Sequence, residues 1–366
     1  MHIRFFKSIW ILSLLVPTLV GCATVGPQRD RPLPADHPRI YTADHVTQPP
    51  QIDGRIDDAA WNSAAWTAAF IDIEGNAKAR PRFETRAKMC WDDEYFYVAA
   101  EMEEPHLWGT LTDRDAIIYH DNDFEIFIDP DGDRCRYNEY EINVLGTEMD
   151  LRMSSPYRCG GNYDLTWDFE GVRSAVGVQG TINDPSDQDE QWVVEVAIPW
   201  SSMADTAGVA CPPRARDTWW VNFSRVQWQA DIRQDKYHKI KDLREDNWVW
   251  SPQGAIDMHR PEYWGLVHFV ATSHGVEGFQ VPADTEARAQ MRRLIDAVEQ
   301  YHATHESSPT ALSELQLTHP LDQALPTPVI TAIHGRTVIV QSYTTSGGDR
   351  KLVYDEDGCL QDMSTR

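Results

Sequence analysis

The sequence predicts an all-β protein, an antiparallel sandwich with a small α+β appendage at its C-terminal end. Three observations carry that expectation. Short runs rich in β-branched and aromatic residues recur between residues 83 and 270, clusters of Gly, Pro, Asn and Asp separate them, and no long helical period intervenes. Only after Val270 does a 3.6-residue period take over.

Composition narrows the partners. The chain has 366 residues, enough for one large domain plus a smaller one, and 14 Trp within 42% hydrophobic residues supply a sizeable core. Its formal net charge is −24. Such a balance argues against a nucleic-acid phosphate backbone or an anionic membrane as a partner and favours a neutral ligand or a metal cation.

The first 21 residues read as a targeting segment: Arg4 and Lys7, an apolar run from Ile9 to Leu19, then Leu19-Val20-Gly21-Cys22. The apolar run is short for a membrane span. This segment resembles a bacterial lipoprotein signal, which implies that Cys22 is the lipidated first residue of the mature chain. Ala23 after the cysteine implies the outer membrane of a Gram-negative cell envelope. An ordinary secretory signal with an incidental cysteine is the alternative. Residues 22–45, rich in Pro and Arg without periodicity, read as a tether.

The sandwich is expected over residues 46–272. IDGRIDDAAWNSAAW opens it with a turn and a short amphipathic stretch carrying Trp61 and Trp66. Strands are expected at Phe83–Trp91, Tyr95–Met102, Asn122–Asp129, Tyr137–Val144, Gly171–Val178, Trp192–Ile198, Trp219–Val226 and Gly265–Val270. Residues 280–366 read as the appendage. Ala287, Met291, Leu294, Ile295, Val298 and Tyr301 form a helical stripe expected to pack on the sandwich, and strands are expected at Val338–Tyr343 and Lys351–Tyr354.

The most informative stretch is HDNDFEIFIDPDGDRCRYNEYEINV. Phe124, Ile126 and Ile128 alternate with Asp123, Glu125, Phe127 and Asp129, and Tyr140, Ile142 and Val144 alternate with Glu139, Glu141 and Asn143. Paired as a hairpin about PDGD, the two runs share one aliphatic side and one side crowded with carboxylates. Like charges opposed across a ladder repel, so a cation, a basic side chain, raised pKa values or solvent must offset them.

Five further cysteines are Cys90, Cys135, Cys159, Cys211 and Cys359, an odd count that leaves at least one thiol unpaired in an oxidising compartment. Cys90 reads as a buried small hydrophobe, and Cys135 with Cys159 as a bridge. No spacing suits a zinc or CxxC site.

The motifs IDGRIDDAAW, KMCWDDEYFYVAAEM, DNDFEIFIDPDGD, YNEYEINVLGT, WVVEVAIPW, WWVNFSRVQW, WVWSPQG and MHRPEYWGLVHF stand in one order from Ile52 to Phe269. As a set they resemble the carbohydrate-binding family 9-like domains of bacterial secreted proteins. The resemblance implies a jelly-roll or immunoglobulin-like sandwich, sugar held between two Trp rings, and calcium ions supporting the fold.

Sugar recognition needs aromatic faces for the C–H face of a ring and planar polar groups for its hydroxyls. Trp248 and Trp250 alternate and so share a side. With Trp228 they are the expected stacking rings, with Arg225, Glu141 and Asn143 bonding hydroxyls; Trp108, Trp167, Trp219, Trp220 and Tyr137 are further candidates. The acids have three readings. Asp129, Asp131 and Asp133, with Asp121 and Asp123 nearby, offer hard oxygen ligands to calcium, though DPDGD lacks the EF-hand order. A solvated acidic turn is the second. The third is a glycoside hydrolase or lyase using Glu125, Glu139, Glu141 or Glu195 with His120 as a base, and Arg114 and Asp115 just upstream. No GxSxG or HExxH occurs. His259 reads as a hydrogen-bonded loop residue. Haem ligation by Met102, Met149, Met258, His259 or His268 lacks any paired axial pattern. The expectation is a lipid-anchored protein that binds carbohydrate without cleaving it.

Overall fold

The structure, a computed structural model, describes residues 38–271 and, with short interruptions, 284–362. The expected signal segment, Cys22, most of the tether and Cys359 lie outside the described residues. The first arm of the fold comprises β1 (Ile40–His45), helix α1 (Ala59–Ser63), β2 (Ile71–Asp72), β3 (Thr85–Trp91) and β4 (Tyr95–Glu103). Next come β5 (Asp123–Asp129), β6 (Asn138–Asn143), β7 (Glu148–Met153), β8 (Tyr163–Asp164), β9 (Arg173–Gln179) and β10 (Gln191–Pro199). The domain closes with β11 (Thr218–Gln227), β12 (Ala230–Arg233), β13 (Lys236–Lys239), β14 (Asp246–Val249) and β15 (Gly265–Val270).

Thirteen of these strands form one sheet in the order β8-β7-β6-β5-β11-β15-β1-β3-β4-β10-β9, with β14 pairing to β11 and β2. Its ladders are antiparallel except at β1, which runs parallel to β15 and β3. The sheet curls so that its two arms face each other. Phe124, Ile126, Ile128, Ile142 and Phe223 of one arm share a core with Val98, Ala100, Val194, Val196 and Ile198 of the other. This is the sandwich that the alternating pattern predicted.

Every expected strand forms, with ends displaced by three residues or fewer. One boundary needs correction. The tether stops short of residue 40, because β1 pairs Ile40 with Leu266 through Asp44 with Val270 and buries Tyr41 and Ala43. Its six residues give no local strand signal; the ladder partner β15 lies more than two hundred residues away.

The opening turn is fixed by one acid. Glu195 Oε2 accepts the backbone N–H groups of Asp53, Gly54 and Arg55 at 3.0, 2.7 and 3.0 Å, and its Oε1 accepts the Trp61 indole N–H at 2.6 Å. Gly54 is required there: its φ is +82°, and a Cβ would meet the Val176 and Gly177 backbone at about 2.9 Å.

The expected Cys135–Cys159 bridge does not form. Cys135 is a free thiol, as are Cys90 and Cys211, whereas Cys159 is disulfide-bonded to a partner outside the described residues. Cys90 is fully buried, as expected.

The appendage consists of α2 (Thr285–Thr304) and an antiparallel sheet of β16 (Val329–Ile333), β17 (Arg336–Thr345), β18 (Gly348–Asp355) and β19 (Leu360–Asp362). The helical stripe covers this sheet and not the sandwich. Ala287, Met291, Leu294 and Val298 pack with Ile330, Ile339, Leu352 and Tyr354. Polar residues on α2 meet the sandwich instead. Asp296 accepts the Tyr263 hydroxyl at 3.0 Å, the Arg292 guanidinium donates to Glu262 O at 2.7 Å, and that of Arg288 donates to Gly132 O. No helix among the described residues is long and apolar enough to cross a membrane.

Candidate functional site

The acidic side of the central hairpin faces away from the sandwich core. Strand parity requires this: with Phe124, Ile126, Tyr140 and Ile142 in the core, Glu125, Phe127, Glu139 and Glu141 point outward. Glu125 lies directly opposite Glu141, and Phe127 opposite Glu139. β7 and β11 extend the face with Met149, Leu151 and Val226.

Residues from two segments, 157–165 with β8 and 244–259 with β14, line a cleft over this face of about 570 Å³, within the range of small-ligand sites. Glu125, Glu139 and Glu141 form its floor, 5, 5 and 2% exposed. Tyr119, Tyr157 and Tyr163 form its rim, 40, 47 and 53% exposed. The Tyr157 ring stands edge-on to His259 at 4.5 Å and to Tyr163 at 6.4 Å. Arg244, Glu245 and Asn247 supply polar groups at the mouth.

Electrostatics on the floor follow from burial. Desolvation pushes Glu125 up to about 7, and desolvation with the neighbouring Glu125 charge pushes Glu139 up to about 8. Asp123 and Glu141 are raised for the same reason, each with other carboxylates against it. Glu141 Oε2 accepts the Tyr119 N–H at 3.1 Å. His259, held down to about 4 by burial, shares a 2.8 Å hydrogen bond between Nδ1 and the Tyr137 hydroxyl. It is a hydrogen-bonded loop residue, and it also lines the cleft.

The expected stacking rings are elsewhere. Trp248 and Trp250 do share a side, but it is the core side, and they are 3% and 1% exposed. The register decides this, since Trp248 pairs with Arg225 and Arg225 with Phe124. A ring buried among Phe83 and Phe223 offers no face to a sugar. Arg225 is on the same inner side, fully buried, with its guanidinium bonded to Thr85, Glu104 and Gln227 at 2.9–3.0 Å. Asn143 is also buried. Its amide donates to Leu111 O and Asp121 and accepts the N–H groups of Leu145 and Thr147, so it fixes a loop. Trp228 remains half-exposed, but the Lys239 ammonium covers its ring at 3.6 Å and its indole N–H donates to Tyr119 O.

Of the alternative catalytic set, Glu125, Glu141 and His120 line the cleft, whereas Glu195 is on the opposite arm with its oxygens taken by the opening turn. Asp129, Asp131 and Asp133 converge beyond the end of β5, with carboxylate oxygens within 4.8 Å of one another. Each accepts a backbone N–H: Asp129 from Gly132 and Arg134, Asp131 from Asp133, and Asp133 from Cys135. Of the methionines and histidines weighed as haem ligands, Met149, Met258 and His259 meet at the cleft. Tyr119, Tyr157 and Tyr163 were missed by sequence reasoning. A signal for Tyr157 and Tyr163 was available in YRCGGNYDLTW, an aromatic-bearing stretch with two adjacent glycines; Tyr119, in AIIYHDN, had no such signal.

Residues 52–212 match the model of the family described as carbohydrate family 9 binding domain-like. Over those residues the chain is similar to this family. The match contains β5 to β8 with the acidic floor and the three tyrosines, and ends before β11, β14 and β15. The chain is 29% identical over 170 residues to endo-1,4-beta-xylanase A of Thermoanaerobacterium saccharolyticum, covering 46% of this chain and 12% of that protein. It is 29% identical over 165 residues to exoglucanase XynX of Acetivibrio thermocellus, covering 45% and 13%. The matched region is thus about an eighth of those relatives' length. A carbohydrate binding module family 9 from Caldicellulosiruptor kristjanssonii in complex with cellotriose superposes with a TM-score of 0.43 at 16% identity, covering 67% of this chain and all of that one.

Proposed function

We propose that the cleft over β5, β6 and β7 binds a carbohydrate, and that the chain is a binding protein of the cell envelope held there by a lipid on Cys22. The observation that carries the reading is the exposed tyrosine rim above a polar floor, in a chain similar over residues 52–212 to a carbohydrate-binding family. Tyr119, Tyr157 and Tyr163 present apolar faces for the C–H side of a sugar ring, while Arg244, Glu245 and Asn247 reach hydroxyls. The names of the relatives make β-1,4-linked xylan and glucan the first ligands to try.

A cation at Asp129, Asp131 and Asp133 belongs to the same reading. Three carboxylates with oxygens within 4.8 Å suit a hard cation such as calcium. Burial and mutual repulsion push Asp131 up to about 6, a cost that a bound cation removes. These residues would hold it through the lone pairs left by their backbone hydrogen bonds, bracing the loop between β5 and β6.

A second reading, glycoside cleavage, is favoured by the raised carboxyls Glu125 and Glu141 in the cleft. Hydrolysis needs two carboxyls flanking the scissile bond from different sides. Here both rise from adjacent strands of one floor, which suits binding better. Retention of the full chain on a panel of immobilised glycans, with assay for new reducing ends, tests both readings. Retention without new ends supports binding, new ends support the enzyme, and no retention on any glycan removes the carbohydrate reading.

A further inference from the structure

The acidic floor extends along the outer side of β5 to Asp123, which pairs with Asn143 across the ladder. Asp123, Glu125 and Glu141 each offer a carboxylate oxygen within 4.8 Å of the others, and all three are buried. No ion pair reaches any of them among the described residues. The Lys239 ammonium, whose charge is felt at Asp123, lies over the Trp228 ring and makes no ion pair with the trio. Two of the oxygens are also orphans: Asp123 Oδ2 and Glu125 Oε2 are shut from solvent without any hydrogen-bond partner. Buried polar atoms without a partner are rare, and buried carboxylates without a counter-charge rarer still.

We propose that Asp123, Glu125 and Glu141 form a binding site for a divalent cation of the calcium class, set into the floor of the cleft. Oxygens no more than 4.8 Å apart fit about a single ion with bonds of about 2.4 Å. An ion there gives the two orphaned oxygens the partner that the fold withholds. Glu141 keeps its backbone bond from Tyr119 through Oε2 and presents its other oxygen. Asp123 and Glu141 each receive one backbone N–H, from Val226 and Tyr119, yet Asp123 Oδ2 and Glu125 Oε2 stay buried without a partner. By contrast, no oxygen of Asp129, Asp131 or Asp133 is a buried orphan, and each of those carboxylates receives backbone N–H groups. Glu125 and Glu141 line the cleft, so an ion enters from solvent and keeps an open coordination position toward it. The site does not rest on the carbohydrate reading, since its ligands are all protein oxygens.

The full chain, stripped with EDTA and dialysed, is titrated with calcium chloride by calorimetry, alongside Asp123→Asn/Glu125→Gln and Asp131→Asn/Asp133→Asn. The expected result is that Asp123→Asn/Glu125→Gln binds one equivalent fewer than wild type, while Asp131→Asn/Asp133→Asn retains that equivalent. Melting supplies the second measurement: calcium raises the melting temperature of Asp131→Asn/Asp133→Asn, and that shift is lost when Asp123→Asn/Glu125→Gln is added. Equal stoichiometry in wild type and Asp123→Asn/Glu125→Gln overturns the site, as does a wild type that takes up no calcium. Loss of glycan retention with calcium uptake intact bears on the carbohydrate reading alone.

Discussion

Glu125 and Glu141 stand directly across the β5–β6 ladder from one another, both buried and both pushed above the usual carboxylate range. Opposed acids in such a pair destabilise a sheet, and a fold devoted only to stability would place an apolar pair here, as it does at Ile126 and Tyr140 one step along. The acidic pair faces the cleft and the apolar pair faces the core. Parity of one hairpin thus separates the part of the sequence that folds the protein from the part that meets a ligand.

Trp250 tests the core side of that division. It is 1% exposed, and its ring lies so close to Gly265 that a Cβ there would come within 2.3 Å of it. Trp250→Ala is expected to cost about 3–5 kcal/mol in urea unfolding, the usual range for deleting a buried Trp. Gly265→Ala should destabilise as well, by crowding the same ring. A melting temperature unchanged in Trp250→Ala would return the indole to the list of binding residues.

Glu195 is expected to be a structural acid. Glu195→Ala orphans an indole N–H and three backbone N–H groups, so a loss of at least about 3 kcal/mol is expected. Hydrogen exchange at residues 53–55 should quicken while glycan affinity of the folded fraction stays the same. Loss of affinity with unchanged exchange would instead give Glu195 a functional role.

Acid sensitivity should centre on Glu262. Burial alone would raise its pKa, but Arg158, Arg134 and Arg260 together hold it at about 2. The folded value is below the unfolded one of about 4.5. This stabilisation is therefore complete above pH 4.5 and is lost as pH falls toward 2, at most about 3 kcal/mol. Wild type should lose stability across that window in a pH series of urea titrations. Glu262→Gln, already less stable at neutral pH, should show a flatter profile there.

The appendage should be held by polar contacts. Asp296→Ala removes the acceptor of the Tyr263 hydroxyl and the partner of Arg260. It should quicken amide exchange in α2 and lower the melting temperature by a few degrees. Unchanged exchange in α2 would show that other contacts hold the two parts together.

Local pattern made much of the fold legible, because period-2 alternation needs only neighbouring residues. The hairpin from Asp123 to Asn143, its two unlike sides and the eight longer strands were all read that way. β1 was not, since its six residues become a strand only through distant β15. Trp248 and Trp250 were correctly placed on one side, but which side faces the core depends on the pairing of β14 with β11, and that register is written nowhere near them. The stripe on α2 was read correctly and given the wrong partner, because an apolar face does not say which sheet it covers. The cleft's tyrosines were passed over for tryptophans, yet indole is the larger hydrophobic ring and this chain uses it mainly for its core.

The most direct test is calorimetric titration of the full chain with xylo- and cello-oligosaccharides, comparing wild type with Tyr157→Ala/Tyr163→Ala. Both rings are about half exposed, so the variant should melt within a degree or two of wild type. Saturable binding to wild type, weakened about tenfold or more in the variant, is the predicted result. Binding of undiminished affinity in the variant, or none to wild type with either series, would contradict a sugar site in this cleft.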